Sequence, residues 1–174
     1  MLWRHGRTRW NLEERFQGHS DVELDETGRA QAERAARLLA ALNPAAIVSS
    51  DLRRARETAE ALARVAAVAV KEDDRLRETY GGTWQGLTVS EIRATDPAAY
   101  ELWRSGADVP AGGAETRGQV ARRAVPALLD ALGDVPPGMT LVAVTHGGTA
   151  RSVIGTLLDL PLDRWAVIGG LSNC

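Results

Sequence analysis

Thr140-Leu141-Val142-Ala143-Val144-Thr145-His146-Gly147-Gly148 is the stretch that decides the fold. An apolar run ends on a histidine and two glycines, and a helical period follows from about Thr149 to Leu158. Near the start, Arg4-His5-Gly6-Arg7-Thr8 repeats the pattern after Leu2-Trp3, the stub of another strand. A neutral imidazole is a good nucleophile near neutral pH, and arginine offers a forked, always-charged donor that matches phosphate oxygens. Glycine lets the backbone approach a bulky anion. Either histidine alone reads better as an ordinary strand-end residue with satisfied hydrogen bonds. The pair is weighed against the rest of the chain.

Working outward, short apolar runs alternate with helical periods, which predicts an α/β layer fold. Asp25-Glu26-Thr27 opens a helix with Ala35, Leu38, Leu39 and Leu42 on one face, and Asn43-Pro44 ends it. Ala46-Ile47-Val48 reads as a buried strand, Leu52 to Val65 as a helix, and Val68-Ala69-Val70 as a strand. Glycines 81, 82 and 86 mark an irregular loop. Thr88-Val89-Ser90-Glu91 forms a capping box, and Asp96-Pro97 a cap with a first-turn proline. A loop covers Ala107 to Gly113, and a helix from Glu115 to Leu132 should kink at Pro126. Pro136-Pro137-Gly138 turns the chain into the Thr140 to Thr145 strand.

Composition excludes several classes. The chain has 174 residues, 44% hydrophobic and 25% charged, so wholesale disorder is not expected. Net charge is −2, with basic residues scattered among acidic ones rather than gathered into a nucleic-acid-binding stripe. Cys174 is the only cysteine, which rules out an internal disulfide or a cysteine metal site. Met1-Leu2-Trp3 meets Arg4 at once, with no apolar signal segment, and no run is long enough to span a bilayer. A soluble, cytoplasmic protein is expected.

In open α/β sheets, ligands bind beyond the carboxyl ends of the strands. His5, Arg54 and His146 each follow a predicted strand, and Glu78 lies in the loop after Val70. Gly147-Gly148 opens the last helix, where free N–H groups and the helix dipole favour an anion. Each residue also has a plainer account. Arg53, Arg54 and Arg56 fit a solvated helix face. Glu78 beside Arg77 fits a surface ion pair contributing under about 1 kcal/mol. Asn11 and Gln17 fit turn residues, and His19 a loop histidine. The five tryptophans read first as core or loop packing, with Trp84, among three glycines, the candidate to wall a pocket.

Four segments in register resemble the histidine phosphatase superfamily, which includes the cofactor-dependent phosphoglycerate mutases. They are Arg4 to Thr8 continuing to Asn11 and Gln17-Gly18, then Ser50 to Ala55 with Thr58-Ala59, Leu76-Arg77-Glu78 leading into Gly82 to Thr88, and Thr145-His146-Gly147. The resemblance implies a three-layer α/β/α fold with a mostly parallel central sheet, as one domain over 1–174 shortened at both ends. It implies that His5 becomes phosphohistidine and that Arg4, Arg54 and His146 bind the transferring phosphoryl group. Glu78 would protonate the leaving oxygen, and Asn11, Gln17, Gly18 and Gly147 would complete the phosphate pocket. No metal or cofactor is implied. The partner is a small phosphorylated substrate, and a homodimer is admitted.

Two positions depart from the family pattern. Arg7 stands where an acidic or amide residue is common, and Ala114 where glycine is common. Leu160-Pro161-Leu162, Trp165 and Gly169-Gly170 extend the similarity to phosphatases acting on glucosyl-3-phosphoglycerate, which makes Trp165 a candidate sugar-binding wall. A phosphoglycerate mutase is the first alternative, and a non-catalytic phospho-ligand-binding module the second. The short stretch from Leu87 to Glu115 favours hydrolysis over a mutase lid. A zinc hydrolase is weaker still, since His5, His19 and His146 lack the HExxH spacing.

Overall fold

In the computed structural model, residues 1–169 and 171–174 are described, so Gly170 lies outside the described residues. Strands β1 (Leu2–Arg4), β2 (Pro44–Ser49), β3 (Val70–Glu72) and β4 (Thr140–Thr145) form a parallel sheet in the order β1-β4-β2-β3. Side chains alternate across a strand, and β4 uses both faces. Val142 and Val144 join Trp3, Ile47 and Leu62 against helices α2 (Glu26–Ala40) and α3 (Arg53–Ala66). Leu141 and Ala143 join Val48 against α6 (Arg117–Gly133) and α7 (Gly147–Leu157), through Ala124, Ala127 and Val153. The three-layer α/β/α architecture follows. Edge strand β3 carries exposed Lys71 and Glu72, which discourages pairing with another chain.

Several local expectations are corrected. The buried stripe of α2 is Gly28, Ala32 and Ala36, while Leu38 is 73% exposed. Alanines 55 and 59 face it from α3, and small side chains on both helices let the two backbones approach closely. Strand β3 starts at Val70, not Val68, because Ala67 ends α3 in a left-handed turn (φ 55°) and the ladder pairs Val70 with Ile47. Helix α6 starts at Arg117 rather than Glu115, capped by Thr116 with Gln119, and holds Pro126 in its interior. The final helix begins at Gly147, directly after His146. Helix α1 (Arg9–Leu12) was not foreseen, although the Thr8…Asn11 capping box was its signal.

Helices α4 (Val89–Thr95) and α5 (Pro97–Ser105) begin at the expected caps, Thr88 with Glu91 and Asp96 with Pro97. Together with the 3₁₀ turn Gly82–Trp84 they build a separate aromatic cluster of Trp84, Ile92 and Tyr100, with Phe16 and Trp103 packed against it. Among the described residues, no helix is long and apolar enough to cross a membrane.

Candidate active site

Register brings the two histidines together. Arg4 pairs with Thr145 across the β1–β4 ladder, so His5 and His146 leave adjacent strands at the same height. The His5 N–H donates to the Thr145 carbonyl at 3.0 Å, and the two rings lie 5.1 Å apart. On the other side of β4, strand β2 ends at Ser49, and the Ser50 hydroxyl lies 2.9 Å from His146 Nε2.

Hydrogen bonds set the tautomers. His5 Nδ1 is 2.7 Å from the Gly6 carbonyl, which can only accept, so Nδ1 carries the proton and Nε2 keeps its lone pair. Ser50 Oγ accepts from the Leu52 N–H at 3.3 Å, and its own proton is available to His146 Nε2 at 2.9 Å. With that pairing the His146 N–H lies on Nδ1, the ring nitrogen that is buried without a partner. Burial, followed by the charges of Arg54 and Arg4, holds the His5 imidazole well below its ordinary pKa. His146 is held down by burial and then by Arg54. Both rings are therefore neutral near pH 7, the form in which Nε2 of His5 is nucleophilic.

A stability prediction follows. Unfolded histidine takes up its proton near pH ~6.5, and the folded sites refuse it. Acidification therefore favours the unfolded chain, and the stability these groups leave intact above that pH falls as pH drops through it. The urea midpoint should fall between about pH 7.5 and about pH 5.5, and His146→Gln should fall less. Equal losses in the two proteins would refute this origin.

A cleft of about 260 Å³ opens beside His5, lined also by Arg4, Asn11, Gln17, Gly18, Arg54, Glu78 and Gly147. Every sequence-predicted site residue lies in this wall except His146, which is fully buried beside His5. Arg54 is no solvated helix residue. It is fully buried, and its guanidinium donates to the carbonyls of Ser20 and Gly18, each at 2.8 Å. Burial pushes its pKa down to about 10. Gly18 has a left-handed φ of 51°, and a Cβ there would collide with the Gln85 side chain. Asn11 Oδ1 accepts from the Thr8 N–H and hydroxyl, each at 3.0 Å, which orients the Asn11 amide at the cleft wall.

Buried polar atoms without partners are rare because each costs about 1–3 kcal/mol. Of the five among the described residues, four belong to Arg4 (Nε), Arg54 (Nε), His146 (Nδ1) and Gln17 (Oε1). Three are N–H donors around His5, and the Gln17 amide can present its NH₂ group by a flip. This concentration suits an anion with several acceptor oxygens.

Glu78 occupies the place that the helix N-terminus was expected to offer a ligand. Its Oε1 accepts from Thr79 N at 2.9 Å and Thr149 N at 3.1 Å, and Oε2 from Gly148 N at 3.0 Å. Gly148 is required for this, because a Cβ would lie 2.5 Å from Oε1.

Residues that the sequence left unassigned hold the Glu78 loop in place. Arg123 donates to the carbonyls of Arg75, Arg77 and Glu78 at 2.6–2.9 Å and pairs with Glu115 at 2.7 Å. His19 Nε2 lies 2.8 Å from the Glu78 carbonyl. Arg77 pairs with Asp51, leaving Glu78 free for the cleft.

Other expectations change. Trp84 is 2% exposed in the aromatic cluster, and Phe16 and Trp103 line the cleft instead. Trp165 is buried against Gly155, with its indole N–H on the Leu160 carbonyl at 3.0 Å, so it walls no part of the cleft. Arg7 pairs with Asp25 at 2.7 Å, outside the cleft lining. Ala114 closes a turn on the Ala111 carbonyl.

Known proteins resemble this chain in sequence and in fold. The profile described as "Histidine phosphatase superfamily (branch 1)" matches residues 1–174. The chain is 41% identical over 180 residues to the glucosyl-3-phosphoglycerate phosphatase of Mycobacterium tuberculosis, covering 99% of this chain and 81% of that one. It is 42% identical over 158 residues to phosphoglycerate mutase-like protein 4 of Arabidopsis thaliana, covering 88% and 68% respectively. The solved structure of mycobacterial glucosyl-3-phosphoglycerate phosphatase complexed with VO3 matches at a TM-score of 0.94 and 42% identity, over 99% of this chain and 87% of that one. By sequence over its whole length and by fold alike, this chain belongs to branch 1 of the histidine phosphatase superfamily.

Proposed function

We propose that this chain is a metal-independent, cytoplasmic phosphomonoesterase that works through a phosphohistidine on His5. The observation that carries this is the His5 tautomer. Nδ1 is tied to the Gly6 carbonyl, so Nε2 is free at a cleft walled by Arg4, Arg54 and Glu78. Nε2 attacks phosphorus, forming the N–P bond as the P–O bond to the alcohol breaks. Arg4, Arg54 and the His146 Nδ1–H stabilise the charge on the equatorial oxygens. Glu78 protonates the leaving alkoxide. Among the described residues Oε2 accepts one hydrogen bond, from Gly148, whereas Oε1 accepts from Thr79 and Thr149, so Oε2 is the oxygen with room for that proton. The resulting carboxylate then takes a proton from the water that cleaves the N–P bond, releasing phosphate and restoring both residues.

The candidate substrate is a small phosphorylated glycerate or sugar, with glucosyl-3-phosphoglycerate foremost, in keeping with the name of the mycobacterial relative. Mutase chemistry is the second reading, favoured by the Arabidopsis relative's name. A mutase must shield its phosphoenzyme from water while the product turns round. Among the described residues, Trp103 is the only residue of the α4–α5 cap in the cleft wall, which favours water as the acceptor. Purified protein given glucosyl-3-phosphoglycerate and 3-phosphoglycerate should release phosphate and form little 2-phosphoglycerate. Prolonged chelation should leave the rate unchanged. Isomerisation outrunning phosphate release would overturn the hydrolytic reading. A loss on chelation that zinc or magnesium restores would overturn the metal-independent one.

A further inference from the structure

The cleft holds an arginine that the phosphoryl-transfer mechanism does not use. Arg4, Arg54 and Arg151 all line it, and none has a carboxylate within ion-pair distance among the described residues. A fourth lining arginine, Arg15, is already engaged by Glu13 at 2.6 Å and the Gly86 carbonyl at 2.7 Å. Among the described residues Glu78 is the one acidic residue in the wall, and its carboxyl is taken up by the backbone N–H groups of Thr79, Gly148 and Thr149 rather than by an arginine. A phosphate ester brings a charge of about −2 and so answers two of the three free arginines.

The arginine left over is Arg151. Arg4 and Arg54 both act electrostatically on His5, whereas Arg151 acts on Arg4 but is not among the charges that shift His5 or His146. It stands one turn along α7 from Gly147, on the same helix face, about 6 Å further from the helix start. Its Nε donates to the Ile168 carbonyl at 3.1 Å, which fixes the guanidinium plane and leaves the Nη edge for a ligand.

We propose that Arg151 binds a carboxylate on the substrate, so that this cleft selects phosphate esters of small hydroxy acids over phosphates of neutral alcohols. The proposal rests on the phosphatase reading and adds the recognition element for the leaving group. An arginine fork matches a carboxylate by two parallel N–H···O bonds. The spacing of one helical turn between phosphoryl site and carboxylate site is of the order of a three-carbon acid.

The test compares 3-phosphoglycerate with glycerol 3-phosphate, the same skeleton with the carboxylate reduced to an alcohol. The parent protein should favour the acid in kcat/KM by roughly tenfold to a hundredfold, the size of a lost charge-assisted contact. Arg151→Gln should collapse that ratio, chiefly by raising KM for the acid, and Arg151→Lys should keep part of it. If Arg151 only anchors the chain at Ile168, its variants will slow both esters alike and the ratio will persist, which overturns the proposal. Equal handling of the two esters by the parent protein also overturns it, without any variant and with the phosphatase reading left standing. Absence of phosphate release from these esters and from nitrophenyl phosphate alike would defeat both.

Discussion

Replacing His5 by alanine is expected to lower kcat by roughly 10⁴–10⁶-fold, the range for removing a covalent nucleophile. At 1.36 kcal/mol per decade that is about 5–8 kcal/mol of lost barrier lowering. The loss is specific because no other group can take over. His146 is the nearest imidazole, at 5.1 Å between rings, and its Nε2 is held by Ser50. The fold should survive, since His5 contributes one side-chain hydrogen bond, to Gly6, while β1 is held by backbone pairing with β4. Circular dichroism and thermal melting check the fold, and phosphate release checks the rate. Quenched parent protein should carry phosphate that is labile in acid and stable in base, and His5→Ala should carry none. A folded His5→Ala protein turning over normally would remove the covalent mechanism.

The second large effect is at Glu78. Glu78→Gln should slow esters with alkoxide leaving groups by about 10²–10⁴-fold, the usual worth of a general acid. Nitrophenyl phosphate, whose leaving group departs without a proton, should be slowed far less. The contrast between substrates is the informative quantity, because glutamine is not a perfect stand-in here. Both Glu78 oxygens accept backbone N–H groups, and an amide offers only one acceptor atom to them. Rearrangement of the side chain would affect all substrates, whereas loss of the proton affects only poor leaving groups. Equal slowing of the two ester classes would assign Glu78 to positioning.

Most of the longer elements were legible because their signals are local. Thr140 to Thr145 and Ala46-Ile47-Val48 announce strands by their apolar runs, and Thr88 and Asp96 cap the helices that follow them. Residue types were less legible where packing chooses among equals. Leu38 looks like a core residue by period, yet the close approach of α2 to α3 selects the glycine and alanine stripe instead. The reading of the tryptophans as packing residues holds at Trp84, whereas Trp165, a candidate sugar wall by its neighbours in sequence, is buried among neighbours in space.

Sequence by itself determined that two histidines would end two strands, each followed by glycine, with Arg54 and Glu78 in the loops and helices beyond. Hydrophobic period and backbone chemistry act over a few residues, and that is enough to place a side chain at the end of an element. Only the tertiary structure decided that β4 inserts between β1 and β2, which sets His5, His146 and Ser50 side by side. Strand order depends on which faces bury together, a balance struck over the whole chain. The same holds for the supports at Arg123, His19 and Gly148, and for Arg151. Their partners lie tens of residues away, and nothing in their immediate sequence distinguishes them from an ordinary surface arginine, a loop histidine or a helix-start glycine.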